Sequence, residues 1–304
     1  MFATLVQMFA VLGLGLLWVL VNPTRLGADS MREALTGVVY YLFLPALVLN
    51  VLWQASLGAD SVRIALSAAS GVLLSLMLMW GLCRATRCEP ALTGAMLLAA
   101  GFPNATYLGL PVLVAALGDQ GRSIAIQYDL FACTPLVLTV GILVASRFGT
   151  RAGNEPAGKR LVKVPALWAA ILAIVLNLTN VDPPRALLGL LEVLAGAVVP
   201  LMLLAVGMAL HRGFREVRHF PRVLPVLVIQ LLLMPLWVWG IASALGLTNP
   251  VLSGVVLEAA MPSMALGVVF CDRYGLNTGL YAAAVTATTL LSLVSVPMWF
   301  AWVG

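Results

Sequence analysis

Charge is what this chain has least of. Only 10% of its 304 residues are Asp, Glu, Lys or Arg, while 62% are hydrophobic. Soluble domains carry roughly a quarter charged residues, and a soluble chain this apolar would expose patches that aggregate. Soluble enzymes and soluble binding modules are thereby excluded, and a mean hydropathy of +1.04 describes a polytopic membrane protein embedded in a lipid bilayer. Cysteine is also scarce: Cys83, Cys88, Cys133 and Cys271 show no C-x-x-C spacing, so neither a zinc framework nor a disulfide scaffold is indicated. His211 and His219 flank an arginine-rich stretch and read as loop residues rather than metal ligands. No H-E-x-x-H, G-x-S-x-G or Walker-type glycine loop occurs, so no enzyme, metal or cofactor is expected. The net charge of +5 reflects basic loops of the kind that membrane topology requires, and nucleic acid is not an expected partner.

What is present is a series of apolar runs of about 20 residues, the length that crosses a hydrocarbon core of about 30 Å. Ten are expected, over 3–21, 34–54, 62–83, 91–117, 123–146, 165–178, 186–210, 223–245, 251–270 and 279–302, the sixth reaching back towards Leu161. Of the 17 Lys and Arg residues, all but Arg63, Arg122 and Arg185 fall in loops after odd-numbered runs. Those loops are therefore expected in the cytoplasm, with both termini on the far side. Met1 to Val21 carries no charge, which is unlike a cleaved signal peptide and reads as a retained first helix. Residues 147–164, basic and rich in Gly and Pro, link an expected first half (1–146) to a second (165–304).

Two runs are interrupted near their middles. Pro103 and Pro111 lie in Gly101-Phe-Pro-Asn-Ala-Thr-Tyr-Leu-Gly-Leu-Pro111, and Pro262 lies in Glu258-Ala-Ala-Met-Pro-Ser-Met-Ala-Leu-Gly267. Proline removes a backbone donor and clashes with the preceding turn, so helix breaks are expected at all three. Pro45 precedes Pro103 by 58 residues, and Pro200 precedes Pro262 by 62. Similar motifs in similar order suggest a repeat. Five runs per repeat is an odd number, so the second copy is inverted, and paired broken helices in inverted repeats mark a carrier's binding site.

At such breaks, helix N-termini expose unpaired N–H groups and a partial positive charge, which suits an anion. Asn104, Thr106 and Ser263 can donate to a carboxylate or coordinate a cation, and Tyr107 either lines the same cavity or packs against its neighbours. Among the acidic residues only Asp129, Glu192 and Glu258 fall within runs. An unpaired carboxylate in hydrocarbon costs at least about 2.5–3.5 kcal/mol and marks ion or proton pathways. Asp129, about 9 Å into the fifth run, and Glu258, one turn before Pro262, are the candidates for ion coupling, with H⁺ the first reading and Na⁺ the second. Glu192 reads as interfacial. Gly13-Leu-Gly15 is a weak signal for close helix packing.

Tyr41-Leu-Phe-Leu-Pro-Ala-Leu47, Pro103-Asn-Ala-Thr-Tyr-Leu-Gly-Leu-Pro111, Met261-Pro-Ser263 with Asp272-Arg-Tyr-Gly275, and Thr286-Ala-Thr-Thr-Leu-Leu-Ser292 resemble the auxin efflux carrier family over essentially the whole chain. The absence of a long cytoplasmic loop makes it similar to bacterial members, and so implies a bacterial inner membrane. The resemblance implies an all-α fold of ten transmembrane helices in two inverted five-helix repeats, with helices four and nine crossing at their breaks. It further implies a scaffold of helices 1, 2, 6 and 7, a transport unit from the other six, and a homodimer. Glu258 is similar in place to a cation-binding glutamate of the related bile acid sodium symporters. The expected function is secondary active transport of a small organic anion, a mono- or dicarboxylate, by alternating access. A sodium-coupled carrier, a passive channel and a ligand-sensing receptor are the alternatives.

Overall fold

In hydrocarbon, backbone N–H and C=O groups must be paired within the protein, and the chain answers with helix almost throughout. The computed structural model describes residues 2–22, 27–55, 57–150, 165–214, 220–265 and 267–304. Most of the expected linker, 151–164, and the backward extension to Leu161 lie outside the described residues. In order come α1 (Phe2–Val21), α2 (28–54), α3 (Ala59–Ala85), α4 (Pro90–Gly101), α5 (105–117), α6 (119–148), α7 (Pro165–Leu178), α8 (Arg185–Gly196), α9 (Val198–Phe214), α10 (220–244), α11 (Val251–Ala259), α12 (Gly267–Tyr274) and α13 (Thr278–Val303). Among the described residues no strand occurs, and six helical stretches are long and apolar enough to cross a membrane. The longest, Ala105–Phe148, spans 44 residues. It folds back because Gly118 takes φ +62° and ψ −141°, a left-handed conformation that glycine tolerates. This turn corrects the expected loop of 118–122: α6 already begins at residue 119, so Asp129 lies about 15 Å along it rather than about 9 Å.

Prolines leave a regular mark. Wide π turns at Val39–Phe43, Ala105–Gly109, Asp129–Cys133 and Ile229–Leu233 are followed, in each case two residues on, by Pro45, Pro111, Pro135 and Pro235. Widening the turn makes room where the proline ring would strike the carbonyl four residues back. The carbonyl that Pro235 leaves without its helical donor belongs to Leu231, and the Trp299 indole Nε1 donates to it at 2.9 Å. The same device corrects the expectation for Pro111: the helix widens before it and continues, so of these three prolines Pro103 and Pro262 alone break the helix.

Close packing holds α1 to α9. A Cβ on Gly15 would lie 2.2 Å from the Leu204 carbonyl oxygen, and one on Gly207 would lie 2.0 Å from that of Leu12. Gly13 has open space beside it, so only half of the Gly-Leu-Gly signal marks the contact. Because backbone cannot yield as a side-chain tip can, Gly207→Ala is expected to destabilise the protein by about 1–3 kcal/mol, read as thermal unfolding in detergent. α2 meets α7 through polar ties: Asn177 Nδ2 donates to the Trp53 and Ala55 carbonyls, each at 2.8 Å, and Trp53 Nε1 donates to Val181 O at 2.7 Å. α13 sits at the centre, with every residue from Leu280 to Thr289 buried, as a helix apolar on all sides requires.

Candidate functional site

The two breaks meet. Residues 102–104 and 262–264 run antiparallel, with Pro103 opposite Ser263. Asn104 N donates to Pro262 O at 2.7 Å, and Met264 N donates to Phe102 O at 2.9 Å. Pro103 occupies the position of this bridge that makes no hydrogen bond of its own, so its missing N–H costs nothing there. The other exposed backbone groups are met by side chains. Ser263 N donates to a side chain, Thr288 Oγ1, at 3.1 Å. Gln230 Nε2 donates to Met261 O at 2.9 Å, Tyr281 OH to Met264 O at 2.8 Å, and Ser263 Oγ to Ala99 O at 2.7 Å.

A cavity of about 560 Å³ ends on this crossing. Its floor is Phe102, Pro103, Asn104, Ala105, Thr106 and Tyr107; Tyr40, Tyr41 and Leu44 of α2 form one wall, and Asp129, Thr134 and Val137 of α6 another. Asn104 is 1% exposed, and neither its Oδ1 nor its Nδ2 has a hydrogen-bond partner. An unpaired buried amide is costly, and such a group calls for an explanation. The first intrahelical donors of α5 are Leu108 N and Gly109 N, both bonded to Asn104 O. The N–H groups of residues 105–107 precede them and belong to the orphan set of a helix start.

Asp129 is half-buried at the cavity wall and accepts two hydrogen bonds, from Thr106 Oγ1 to Oδ2 and from Thr134 Oγ1 to Oδ1, the latter at 3.0 Å. Glu258 lies deeper, fully buried, with both carboxylate oxygens unpartnered and pressed against Gly109, where a Cβ would come within 2.2 Å of Oε2. Asp129, Tyr128 and Cys133 stand within electrostatic range of Glu258.

The structure thus brings Asn104, Thr106, Tyr107 and Asp129 together on one cavity. Ser263 is buried behind the bridge, its hydroxyl spent on Ala99 O, and it does not line the cavity. Glu258 and Pro262 also stand outside the lining. The two half-sites differ because Tyr281 fills the second: its hydroxyl occupies the space where a Cβ on Gly267 would sit, 1.8 Å away. Sequence reasoning passed over Thr134, Gln230 and Thr288. A lone amide in the apolar run Ile229-Gln230-Leu231 and a hydroxyl in the centre of α13 were the available signals. Among the described residues no three His, Cys, Asp or Glu side chains converge on a metal-sized space.

A family model described as membrane transport protein matches residues 1–300. The chain is 31% identical over 294 residues to an uncharacterised transporter of Methanothermobacter thermautotrophicus, covering 95% of both chains. It is 24% identical over 207 residues to the uncharacterised transporter YfdV of Escherichia coli K12, covering 66% of this chain and 65% of that one. It is also 25% identical over 283 residues to a protein of Rhizobium meliloti provisionally named a malonate transporter, covering 86% and 84%.

Proposed function

Because the chain belongs to the membrane transport protein family, we propose that it is a secondary active transporter of a small organic anion, working by alternating access. The observation that carries this reading is the cavity closing on a paired helix break, with the buried amide of Asn104 unpartnered at its floor. A binding site at interrupted helices, near the middle of the membrane, is the arrangement that carriers use.

In this reading the helices make ten passes, α4 with α5 and α11 with α12 being the two broken ones, in two inverted repeats of 1–146 and 165–304 joined by 147–164. The pattern of helix contacts supports the repeat. Exchanging the halves turns the α1–α9 contact into α7–α2, the α3–α4 contact into α10–α11, and the α4–α13 contact into α11–α6, and all six occur. The cavity lies between α2 and α7 on one side and the broken helices and α6 on the other, which suits a scaffold of α1, α2, α7, α8 and α9 against a moving unit of the rest. With the basic loops in the cytoplasm, this conformation opens inward past Glu33 and Thr36, which line the cavity at the start of α2. The protein would reside in a cytoplasmic membrane with both termini outside, as a homodimer.

Coupling to protons through Asp129 and Glu258 is the first form of the mechanism. Both are buried or half-buried carboxylates beside the break, where a carboxylate must be neutralised or solvated. The substrate's carboxylate would be held by Asn104, Thr106 and the start of α5, with Tyr107 beside it. Accumulation and counterflow of labelled carboxylates in proteoliposomes test the proposal, since a channel cannot concentrate its solute. Asp129→Asn and Glu258→Gln are each expected to weaken the dependence of uptake on a pH gradient. If neither does, and a sodium gradient drives uptake instead, proton coupling gives way to sodium coupling.

A further inference from the structure

We propose that the cavity binds a carboxylate and a proton together, the proton on Asp129 and the carboxylate against Asn104 and Thr106, and that this pairing restricts the substrate to monocarboxylates. The inference rests on the transporter reading above and narrows it. It begins from an inventory of charge. The cavity lining contains two carboxylates, Glu33 and Asp129, and no Lys, Arg or His among the described residues. Among the described residues, the titratable groups in electrostatic range of Asp129 are Glu258, Tyr107 and Cys133, with Tyr40 and Arg32 ranged against Tyr107. Arg32 is buried and does not line the cavity. Of the other helices packed on the turn of Asp129, α7 holds no titratable residue from Pro165 to Leu178, and α3 holds Asp60, Arg63, Cys83 and Arg84, all towards its ends.

A substrate carboxylate at Asn104 therefore meets the charge of Asp129 across a mostly apolar space with no cation between them. Like charges so placed repel strongly at low dielectric. One proton from the water of the cavity, taken up on an Asp129 oxygen, cancels that repulsion. A second carboxylate on the substrate would find no cation among the described lining residues to pair with, and the other acid of the lining, Glu33, is exposed at the start of α2 rather than set beside Asn104.

Thr106 supplies the link between the two events. Its hydroxyl has a single proton, and it now donates that proton to Asp129 Oδ2, while Thr134 donates to Oδ1. In ionised Asp129 both oxygens accept. When Asp129 is protonated it becomes a donor, and Thr106 Oγ1 can accept from it. The Thr106 proton is then released to point at the substrate carboxylate, beside the unpartnered amide of Asn104. Thr106 is thus a positioning residue through which proton and substrate each favour the other's binding.

The test is isothermal titration of the full chain in nanodiscs with propionate, phenylacetate and malonate, at neutral and alkaline pH, in buffers of different ionisation enthalpy. About one proton should be taken up per monocarboxylate bound, and malonate should bind about 100-fold more weakly or worse. Asp129→Asn should bind monocarboxylates without proton uptake. Thr106→Val should lose both affinity and proton uptake, and Thr106→Ser should restore them. Binding without proton uptake in the unaltered protein, proton uptake that persists in Asp129→Asn, or malonate binding as tight as propionate would each overturn the inference and leave the transporter reading standing. If none of the three acids binds to protein that still unfolds cooperatively, the anion-transporter reading falls, and the inference with it.

Discussion

Asn104→Leu should lower carboxylate affinity by about 10–100-fold, the loss expected when a hydrogen bond to a charged group worth about 1.5–3 kcal/mol is removed. The same substitution should leave thermal stability unchanged or raise it. That opposite sign follows from the side chain's surroundings: Asn104 is 1% exposed, and neither amide atom has a partner. Its burial is a standing cost in the absence of ligand, and an apolar side chain of similar size removes that cost. The backbone of residue 104 keeps its role, because Asn104 N still donates to Pro262 O and Asn104 O still accepts from Gly109 N. Binding and thermal unfolding measured on the same preparation separate the alternatives. A loss of affinity together with a large loss of stability would mean that the amide holds the crossing together and does not serve a ligand.

Much of this site was legible in the sequence because its causes are local. Proline in an apolar run has few outcomes, a break or a widened turn, and at Pro103 and Pro262 the outcome is the break. Pro111 has the same covalent chemistry and a different outcome, since Pro111 follows a π turn that absorbs its ring. That distinction depends on how the preceding turn packs, and no residue type announces it. Asp129 and Thr106 were singled out separately, as a carboxylate in hydrocarbon and a hydroxyl at a break. Their hydrogen bond depends on the reversal at Gly118, which returns α6 alongside α5. Which of the two half-sites faces the cavity was less accessible still. Ser263 looked like the counterpart of Asn104, but Thr288 and the Ala99 carbonyl, both distant in sequence, claim its N–H and its hydroxyl. The two breaks are alike in sequence, and α13 places Thr288 and Tyr281 against residues 263 and 264 of the second, which leaves Asn104 of the first on the cavity.

The coupling of Glu258 to the break is open to an equally direct test. Gly109→Ala is expected to reduce transport at least about tenfold, because the new Cβ would lie 2.2 Å from Glu258 Oε2 and 2.7 Å from its carboxyl carbon. A flexible side-chain tip can often move aside, but here Glu258 is fully buried. Overpacking of this kind in a filled interior costs about 1–3 kcal/mol. The carboxylate and the start of α5 must therefore shift together, and residues 105–107 carry the N–H groups proposed above to face the substrate. A second substitution separates steric cause from a loss of glycine's conformational freedom. Gly109 has φ −62° and ψ −50°, ordinary helical values, so alanine is unstrained there except by contact with Glu258. Gly109→Ala combined with Glu258→Ser should then regain the stability lost by Gly109→Ala alone, a non-additivity of about 1–3 kcal/mol between neighbouring sites. If the two changes simply add, the contact between Gly109 and Glu258 does not set the position of the break.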